Sequence, residues 1–421
     1  MGLKKPDPVR RAGQRLTTVV MLFFGSAFLL LALDPRHAAD ALTGYILAAG
    51  VPLMIWIGSA LLPLIFPVDG LMLSLANFLC ALGVLVLYDT NPAYARQQVI
   101  WYGVGIGAML ICILAVRVLR FGPKTCGILA LLGLGFLVLP VLFGKETYGA
   151  KNWISVMGMS LQPSEAVKLC LLIICARFMA NRRFWPWFLF AAACLGILML
   201  QKDLGTALLY YGVTLLMCFA STGSVFFLFS GLAGGAAAAF AGYRMFAHVK
   251  KRVGIWLNPW AVYDTFGYQI VHALMAIASG GLFGVGLGLG NPTAIPVYES
   301  DFIFAVICEQ FGLIFALCVM MIYVAMIWRG TTTAMAARKG FHGLLAAGAT
   351  VMIGLQAFVI IGGVIKMIPL TGVTLPFVSY GGTSLVSSMC LVGLIQGVES
   401  LNRDNVKEDL RLSYYAEEAG L

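Results

Sequence analysis

Charge is scarce in this sequence. Only 11% of its 421 residues are Asp, Glu, Lys or Arg, where an ordinary soluble domain carries about 25%. Histidine is scarcer still, with four residues scattered at 37, 248, 272 and 342, which argues against a histidine-held metal centre. The ten cysteines stand at 80, 112, 126, 170, 175, 194, 218, 308, 318 and 390, nearly all inside apolar runs and with no Cys-X-X-Cys pair. They read as small packing residues rather than as bridges or metal ligands. No Ser-His-Asp, zinc or Walker signature is present, and no strand-like alternation competes with the helical pattern.

What the chain has in quantity is apolar surface: 61% of its residues are hydrophobic, and the mean hydropathy is +0.92. So little polar surface could not cover a soluble core, which excludes a cytosolic enzyme, a disordered protein and a secreted disulfide scaffold. A polytopic membrane protein remains. The 28 Lys and Arg against 18 Asp and Glu leave a net charge of +10. In a soluble protein that excess would suggest nucleic acid. In a membrane protein it belongs in short cytoplasmic loops, so no nucleic-acid partner is expected.

A membrane helix needs about 20 mostly apolar residues. Such runs lie near 19–33, 44–66, 71–88, 99–117, 127–143, 164–180, 185–200, 204–220, 225–242, 302–327, 343–365 and 383–399. The expected fold is therefore an all-α polytopic membrane bundle of about twelve transmembrane helices. No small-residue cleavage site ends the first run, so no cleavable signal peptide is expected. Lys and Arg cluster in the head (Lys4, Lys5, Arg10, Arg11, Arg15) and in alternate loops: Arg117, Arg120 and Lys124; Arg177, Arg182 and Arg183; Arg329, Arg338 and Lys339; Arg403, Lys407 and Arg411. With the head inside, every cluster falls inside, so both termini are expected in the cytoplasm.

Three segments then face the far side, at about 144–163, 243–301 and 366–382. The long extracytoplasmic loop at about 243–301 is rich in aromatic and apolar residues, and loops of that length are usually functional or disordered. Tyr268 to Ile277 reads as an interfacial helix, broken up afterwards by glycines at 280, 281, 284, 286, 288 and 290. Such a series either packs closely against neighbours or cradles a phosphate. Without a preceding strand it is no nucleotide fingerprint, and close packing is the stronger reading.

Several polar residues at these mouths call for a reason. Pro163 suits a first helical position and Glu165 the third, where a carboxylate can cap free N–H groups; Lys168 lies on the same face and can pair with it. An ion pair at membrane depth marks a polar cavity more often than decoration. Asp203 suits an N-cap. Asp301 stands where the long loop enters an apolar run, with Glu309 two turns further on. As a cap, Asp301 would have its pKa depressed by the helix N-terminus; as a base, it would need partial burial to raise that pKa. Both readings stay open. Arg244, His248, Lys250, Lys251 and Arg252, followed by Trp256, Trp260 and Tyr263, form either an interfacial segment or an anion site for pyrophosphate or phospholipid.

This constellation resembles the SEDS family (shape, elongation, division and sporulation) from about Leu71 to Ser400. The matching stretches are Gly149 to Ile154, Gln162-Pro163-Ser164-Glu165 with Lys168, Asp203 to Ala207, Arg252 through Asn258-Pro259 to Gln269, Ser279 to Leu282, Asp301 to Ala305 with Glu309, and Pro369 to Gly382. Residues 1–70 are then a head with two added membrane helices, 71–400 the family core, and 401–421 a cytoplasmic tail. Four positions depart from the family pattern. Asn152 stands for an Arg, Lys202 for a Pro, Pro296 to Ser300 for Pro-Glu-Ala-His-Thr, and Ile360 for an Asn.

The resemblance implies a ten-helix core that polymerises lipid II, the lipid-linked disaccharide of the cell wall, outside the cytoplasmic membrane and beside a class B penicillin-binding protein. It maps the essential acid onto Asp301 and other functional positions onto Trp153, Glu165, Lys168, Asp203 and Arg252. Glycosyl transfer from a polyprenyl pyrophosphate needs a base for the attacking hydroxyl and cations for the departing pyrophosphate. Asp301 suits the first task; Arg252, Lys168 and Lys251 suit the second. Trp153 is either a sugar platform or an interface anchor. A divalent cation, Mg²⁺ or Mn²⁺, could bridge Asp301 or Glu299 and the leaving group. A flippase for the lipid-linked precursor and an inactive scaffold for a penicillin-binding protein are the rival readings. A flippase, however, needs polar groups continuing through the membrane and usually repeated halves.

Overall fold

Long apolar segments in lipid can satisfy their backbone groups only within helices or a closed barrel. The computed structural model, which describes residues 8–147, 150–156 and 159–418, is a helical bundle. Its helices are α1 (Pro8–Leu33), α2 (Ala41–Trp56), α3 (Leu62–Ile65), α4 (Gly70–Thr90), α5 (Pro92–Val118), α6 (Pro123–Phe143), α7 (Pro163–Ala180), α8 (Phe184–Leu200), α9 (Leu204–Thr222), α10 (Val225–Met245), α11 (Ala247–Leu257), α12 (Tyr268–Gly280), α13 (Ile303–Met335), α14 (Gly340–Val364) and α15 (Gly382–Glu418). Their starts follow local chemistry. Asp69 and Asn91 cap α4 and α5 by accepting from the Leu71 and Ala93 N–H groups, and Pro92, Pro123 and Pro163 occupy first turns where no N–H is needed. Lys4, Lys5 and Gly149 lie outside the described residues.

Among the described residues, ten of these helical segments are long and apolar enough by length and composition to cross a membrane, against the twelve runs expected. The expected spans at 164–180 and 185–200 are helices α7 and α8, of 18 and 17 residues, and α7 carries Glu165, Lys168 and Arg177. Helices α4, α14 and α15 are mostly buried, and α4 is apolar on every face, as a central helix must be. Large side chains such as Leu22, Leu131, Phe226 and Trp328 stay exposed on the outside, where a helix in lipid needs apolar contact. Helix α10 has no buried residue at all.

The two ends of the bundle differ. At one end, basic residues are tied to acids near the C-terminal half of α15 and the start of α4. Arg329 donates to Asp69 at 2.7 Å, Arg117 pairs with Asp404 at 2.9 Å and Arg403 with Glu399 at 2.6 Å. The other end gathers the segments expected as the three loops. Between α6 and α7 a small antiparallel sheet forms from β1 (Lys145–Thr147), β2 (Ala150–Val156) and β3 (Met159–Leu161), in that order. The Lys151 N–H donates to the Gln201 carbonyl at 3.0 Å and pins the sheet to the α8–α9 turn. Helix α12 covers the expected Tyr268–Ile277 helix.

The glycine series serves close packing. Helix α13 is broken at Gly312, whose φ of 82° and ψ of 174° are not helical. The broken turn would leave backbone groups unpaired in the bundle. The glycine loop satisfies them. Val285 and Gly286 donate to the carbonyls of Glu309 and Gln310 at 2.9 and 3.1 Å, while Leu313 and Ile314 donate to those of Gly281 and Leu282 at 2.9 and 3.2 Å. Two backbones this close leave no room for a side chain: a Cβ on Gly284, which has φ +83°, would strike the Gln310 carbonyl. Gly284→Ala should therefore cost about 2 kcal/mol or more through overlap and the left-handed backbone. Gly127→Ala, where nothing lies within 4 Å, should leave stability unchanged or slightly raised. Thermal midpoints of the purified variants in detergent check this, and equal midpoints would contradict it.

Candidate active site

Helical periodicity alone puts several polar side chains on common faces. On α11, His248, Lys251, Arg252 and Ile255 recur at the spacing of one face; on α7, Ser164, Glu165 and Lys168 do the same; on α14, Met352 and Gln356 are one turn apart. All three faces line a single cavity of about 790 Å³, completed by Trp153 of β2, the start of α9 and the segments 297–301 and 370–374. Every expected site residue is there: Asp301, Glu299, Trp153, Glu165, Lys168, Asp203, Lys251 and Arg252.

Asp301 does not cap α13. The residue at the cap position is Phe302, which has no capping side chain, and the Asp301 carboxylate instead accepts from the Ser300 hydroxyl at 3.1 Å. Burial in the cavity wall pushes its pKa up to about 6, with the neighbouring Glu299 charge adding to the rise; the Ser300 hydrogen bond and Arg252 pull the other way and lose. The turn that carries it is strapped down. Tyr380 N–H donates to the Glu299 carbonyl at 2.8 Å, the Ser379 hydroxyl donates to the Ser300 carbonyl at 2.5 Å, and Val297 adopts φ +60° while its carbonyl accepts from both Ser300 and Asp301.

Arg252 reaches across from α11 and donates to the carbonyls of Leu370 and Thr371 at 3.3 and 2.8 Å. Trp256, one turn on, donates to the Lys366 carbonyl at 3.1 Å, so two residues of one face dock this short helix. Gly372, whose φ of +75° favours glycine, lies beside both groups: the position a Cβ would take is 3.6 Å from Asp301 Oδ2 and 3.8 Å from Arg252 Nη2, ordinary contact distances. Burial and the charges of Arg252 and Lys202 hold His248 below the usual histidine range, which favours the neutral ring.

Deeper in the cavity, Lys168 and Glu165 pair at 2.5 Å. Glu165 accepts a second hydrogen bond from Ser387 rather than capping α7. Lys168 is fully enclosed and also donates to Gln356 at 3.2 Å. Asp203 is an N-cap, as its position suggested, and a saturated one: Oδ1 accepts from the Thr206 N–H at 3.1 Å, and Oδ2 accepts from Thr206 Oγ1, Asn152 and Gln162 at 3.0, 3.0 and 3.2 Å. Four hydrogen bonds hold that carboxylate in place. It ties β2, and with it Trp153, to the start of α9.

The cavity also contains Gln356 and Trp101, which sequence reasoning passed over, and Gln162, Thr374 and Tyr380, which it placed in motifs without a site role. A signal existed for Gln356, a wide amide in an otherwise apolar span. Trp101 had none, because aromatics are common throughout the chain. Glu309 and Lys250 are not among the lining residues; Glu309 instead accepts from the Asn291 N–H at 3.1 Å behind the glycine loop. No group of three or more His, Cys, Asp or Glu placed to hold a metal occurs among the described residues.

A helical membrane protein with a polar, cation-rich cavity at one end of its bundle is the class these features define. Residues 70–404 match the cell cycle protein family of FtsW, RodA and SpoVE. The chain is 35% identical over 358 residues to the peptidoglycan glycosyltransferase RodA of Mycobacterium tuberculosis, covering 80% of this chain and 76% of that one. It is 31% identical over 362 residues to the stage V sporulation protein E of Bacillus subtilis, covering 80% and 98%. Among solved structures, a peptidoglycan synthase complex described as coordinating polymerization and crosslinking superposes with a TM-score of 0.66 at 26% identity, covering 80% of this chain and 98% of that one. The rod shape determining protein RodA of Thermus thermophilus does so with a TM-score of 0.57 at 26% identity, covering 79% and 96%. The chain belongs to the FtsW/RodA/SpoVE family, the SEDS family that its motifs resemble.

The raised pKa of Asp301 has a consequence for stability. The folded state holds the Asp301 proton up to about 6 against an ordinary value of 3.8, so this carboxylate adds stability below its unfolded pKa and loses it as pH rises through the folded one. Asp301→Asn should accordingly raise the thermal midpoint at pH 7.5 and change it little at pH 4. Thermal unfolding of the two proteins at both pH values tests this, and a midpoint lowered at pH 7.5 would contradict it.

Proposed function

We propose that the chain is a peptidoglycan glycosyltransferase working from the extracytoplasmic side of the bacterial cytoplasmic membrane, with both termini inside. Its relatives carry that activity in their names. The observation that carries the reading is Asp301, a carboxylate lifted to about 6 in a cavity that also holds Lys168, Lys251 and Arg252. Lipid II is the substrate that fits: a sugar hydroxyl of one lipid-linked disaccharide attacks the anomeric carbon of another chain, which leaves as polyprenyl pyrophosphate. Residues 71–400 form the catalytic core, 1–70 an added head with two helices and 401–421 a tail.

Asp301 takes the proton from the attacking hydroxyl. A base with a pKa near 6 is mostly ionised at neutral pH yet keeps affinity for a proton, which suits that task. Arg252, Lys251 and Lys168 stabilise charge as it develops on the pyrophosphate; of the three, Lys168 is enclosed and so acts with the least screening. Trp153, held by Asp203 through Asn152, offers an apolar face to a sugar ring. Asp301 and Glu299 are the oxygen donors that would hold a Mg²⁺ or Mn²⁺ ion. Hard cations of this size accept one or two carboxylates with water and phosphate oxygens, and such an ion would add positive charge at the leaving group. The partner would be a class B penicillin-binding protein, in line with the polymerization and crosslinking coordinated in the related complex.

Purified protein supplied with lipid II should make glycan strands, and Asp301→Ala should reduce the rate by about 10³-fold with the protein still folded. The wild-type rate should fall on the acid side with a midpoint near 6, since the protonated carboxyl cannot act as base. Gel analysis of polymerised glycan checks both. Polymer formation by Asp301→Ala at the wild-type rate would refute the assignment, and translocation of lipid II in vesicles without polymerisation would favour a flippase.

A further inference from the structure

Beneath Asp301, the floor of the cavity is a closed ring of hydrogen bonds. Lys168 Nζ contacts Glu165 at 2.5 Å, and Glu165 accepts from Ser387. The single Ser387 hydroxyl proton is shared between Glu165 and the Ser384 carbonyl, which lies 3.0 Å away, and the Ser384 hydroxyl meets Thr374 Oγ1 at 2.5 Å. Gln356 closes the circle, donating through Nε2 to the Thr374 carbonyl at 2.9 Å and accepting through Oε1 from Lys168 at 3.2 Å. The amide can point only one way, because an ammonium can only donate and a carbonyl can only accept. Gln356 is 1% exposed, and truncating it would strand buried polar groups on both sides.

The ring joins two parts of the site that are otherwise far apart in the chain. On one side is the Lys168 cation of α7. On the other is the segment from Leu370 to Thr374, whose Leu370 and Thr371 carbonyls hold Arg252 and whose Gly372 lies against Asp301. We propose that Gln356 is a positioning residue, whose side-chain amide holds the deep cation and the loop bearing the Arg252 clamp in one fixed arrangement. It touches no reacting atom. It acts through Lys168 and Thr374, and the inference rests on the glycosyl-transfer reading of this cavity.

The test compares wild type, Gln356→Met and Asp301→Asn in a purified lipid II polymerisation assay across pH. Met has nearly the same volume, so a residue that merely fills space would leave every readout unchanged. For a positioning residue, Gln356→Met should lower kcat about tenfold or more while KM changes by less than about threefold, because the interaction lost is one that matters in the transition state. A wild-type kcat in Gln356→Met would overturn the proposal. If that variant fails to fold, Ser384→Ala opens the same ring from its other side and should lower kcat with KM changed by less than about threefold; an unchanged kcat there would overturn it equally. A wild-type protein that makes no polymer would instead defeat the functional reading, leaving the two failures distinct.

Discussion

An ionised group inside a lipid-embedded bundle must find a partner or give up its charge, and how that demand is met differs from residue to residue in this cavity. Lys168 has Glu165 and Gln356; Arg252 has two backbone carbonyls. Asp203 has four donors. Asp301 has one hydroxyl. The carboxylate with four donors is held for structure, and the one with a single weak donor is left with an affinity for protons. Two aspartates at one cavity thus differ in environment by the number of hydrogen bonds each accepts.

The same demand applies to the backbone. A helix broken at Gly312 has orphaned donors and acceptors, and the glycine loop supplies partners for them without a side chain in the way. That contact anchors the long segment between α12 and α13, whose last residues form the strapped turn bearing Asp301. Asp301 therefore sits on a connection pinned at both ends, by the glycine loop behind and by Ser379 and Tyr380 in front. A carboxylate on a free loop could not hold one orientation in the cavity.

The departures from the family pattern become intelligible in this frame. Asn152, where an Arg is usual, still donates to Asp203; an amide replaces a guanidinium as a donor, at the loss of a charge. Lys202, where a Pro is usual, occupies a turn at φ +60° that proline cannot adopt, so the α8–α9 turn differs in backbone as well as in side chain. It brings a cation near enough to His248 to help depress its protonation. Ile360 is buried among apolar neighbours in α14, one turn beyond Gln356. The polar position on this helix is Gln356.

Much of the bundle could be read from composition and periodicity. Apolar runs, the proline at the start of α7, the cap at Asp203 and the cationic face of α11 are local properties, set by residues within a turn or two of one another. The runs at 164–180 and 185–200 are helices α7 and α8, the first shortened in apolar length by Glu165, Lys168 and Arg177 and the second by having only 17 residues. Glu165 was as good a cap as an ion-pair partner until Ser387 of α15 and Lys168 were seen to claim it. The sequence by itself determined which segments enter the membrane and which side chains share a helix face, since both follow from neighbours along the chain. Only the tertiary structure decided that the pKa of Asp301 is raised and that Gln356 completes a ring, since a carboxylate's affinity for protons depends on its burial and an amide's partners on groups brought together from separate elements.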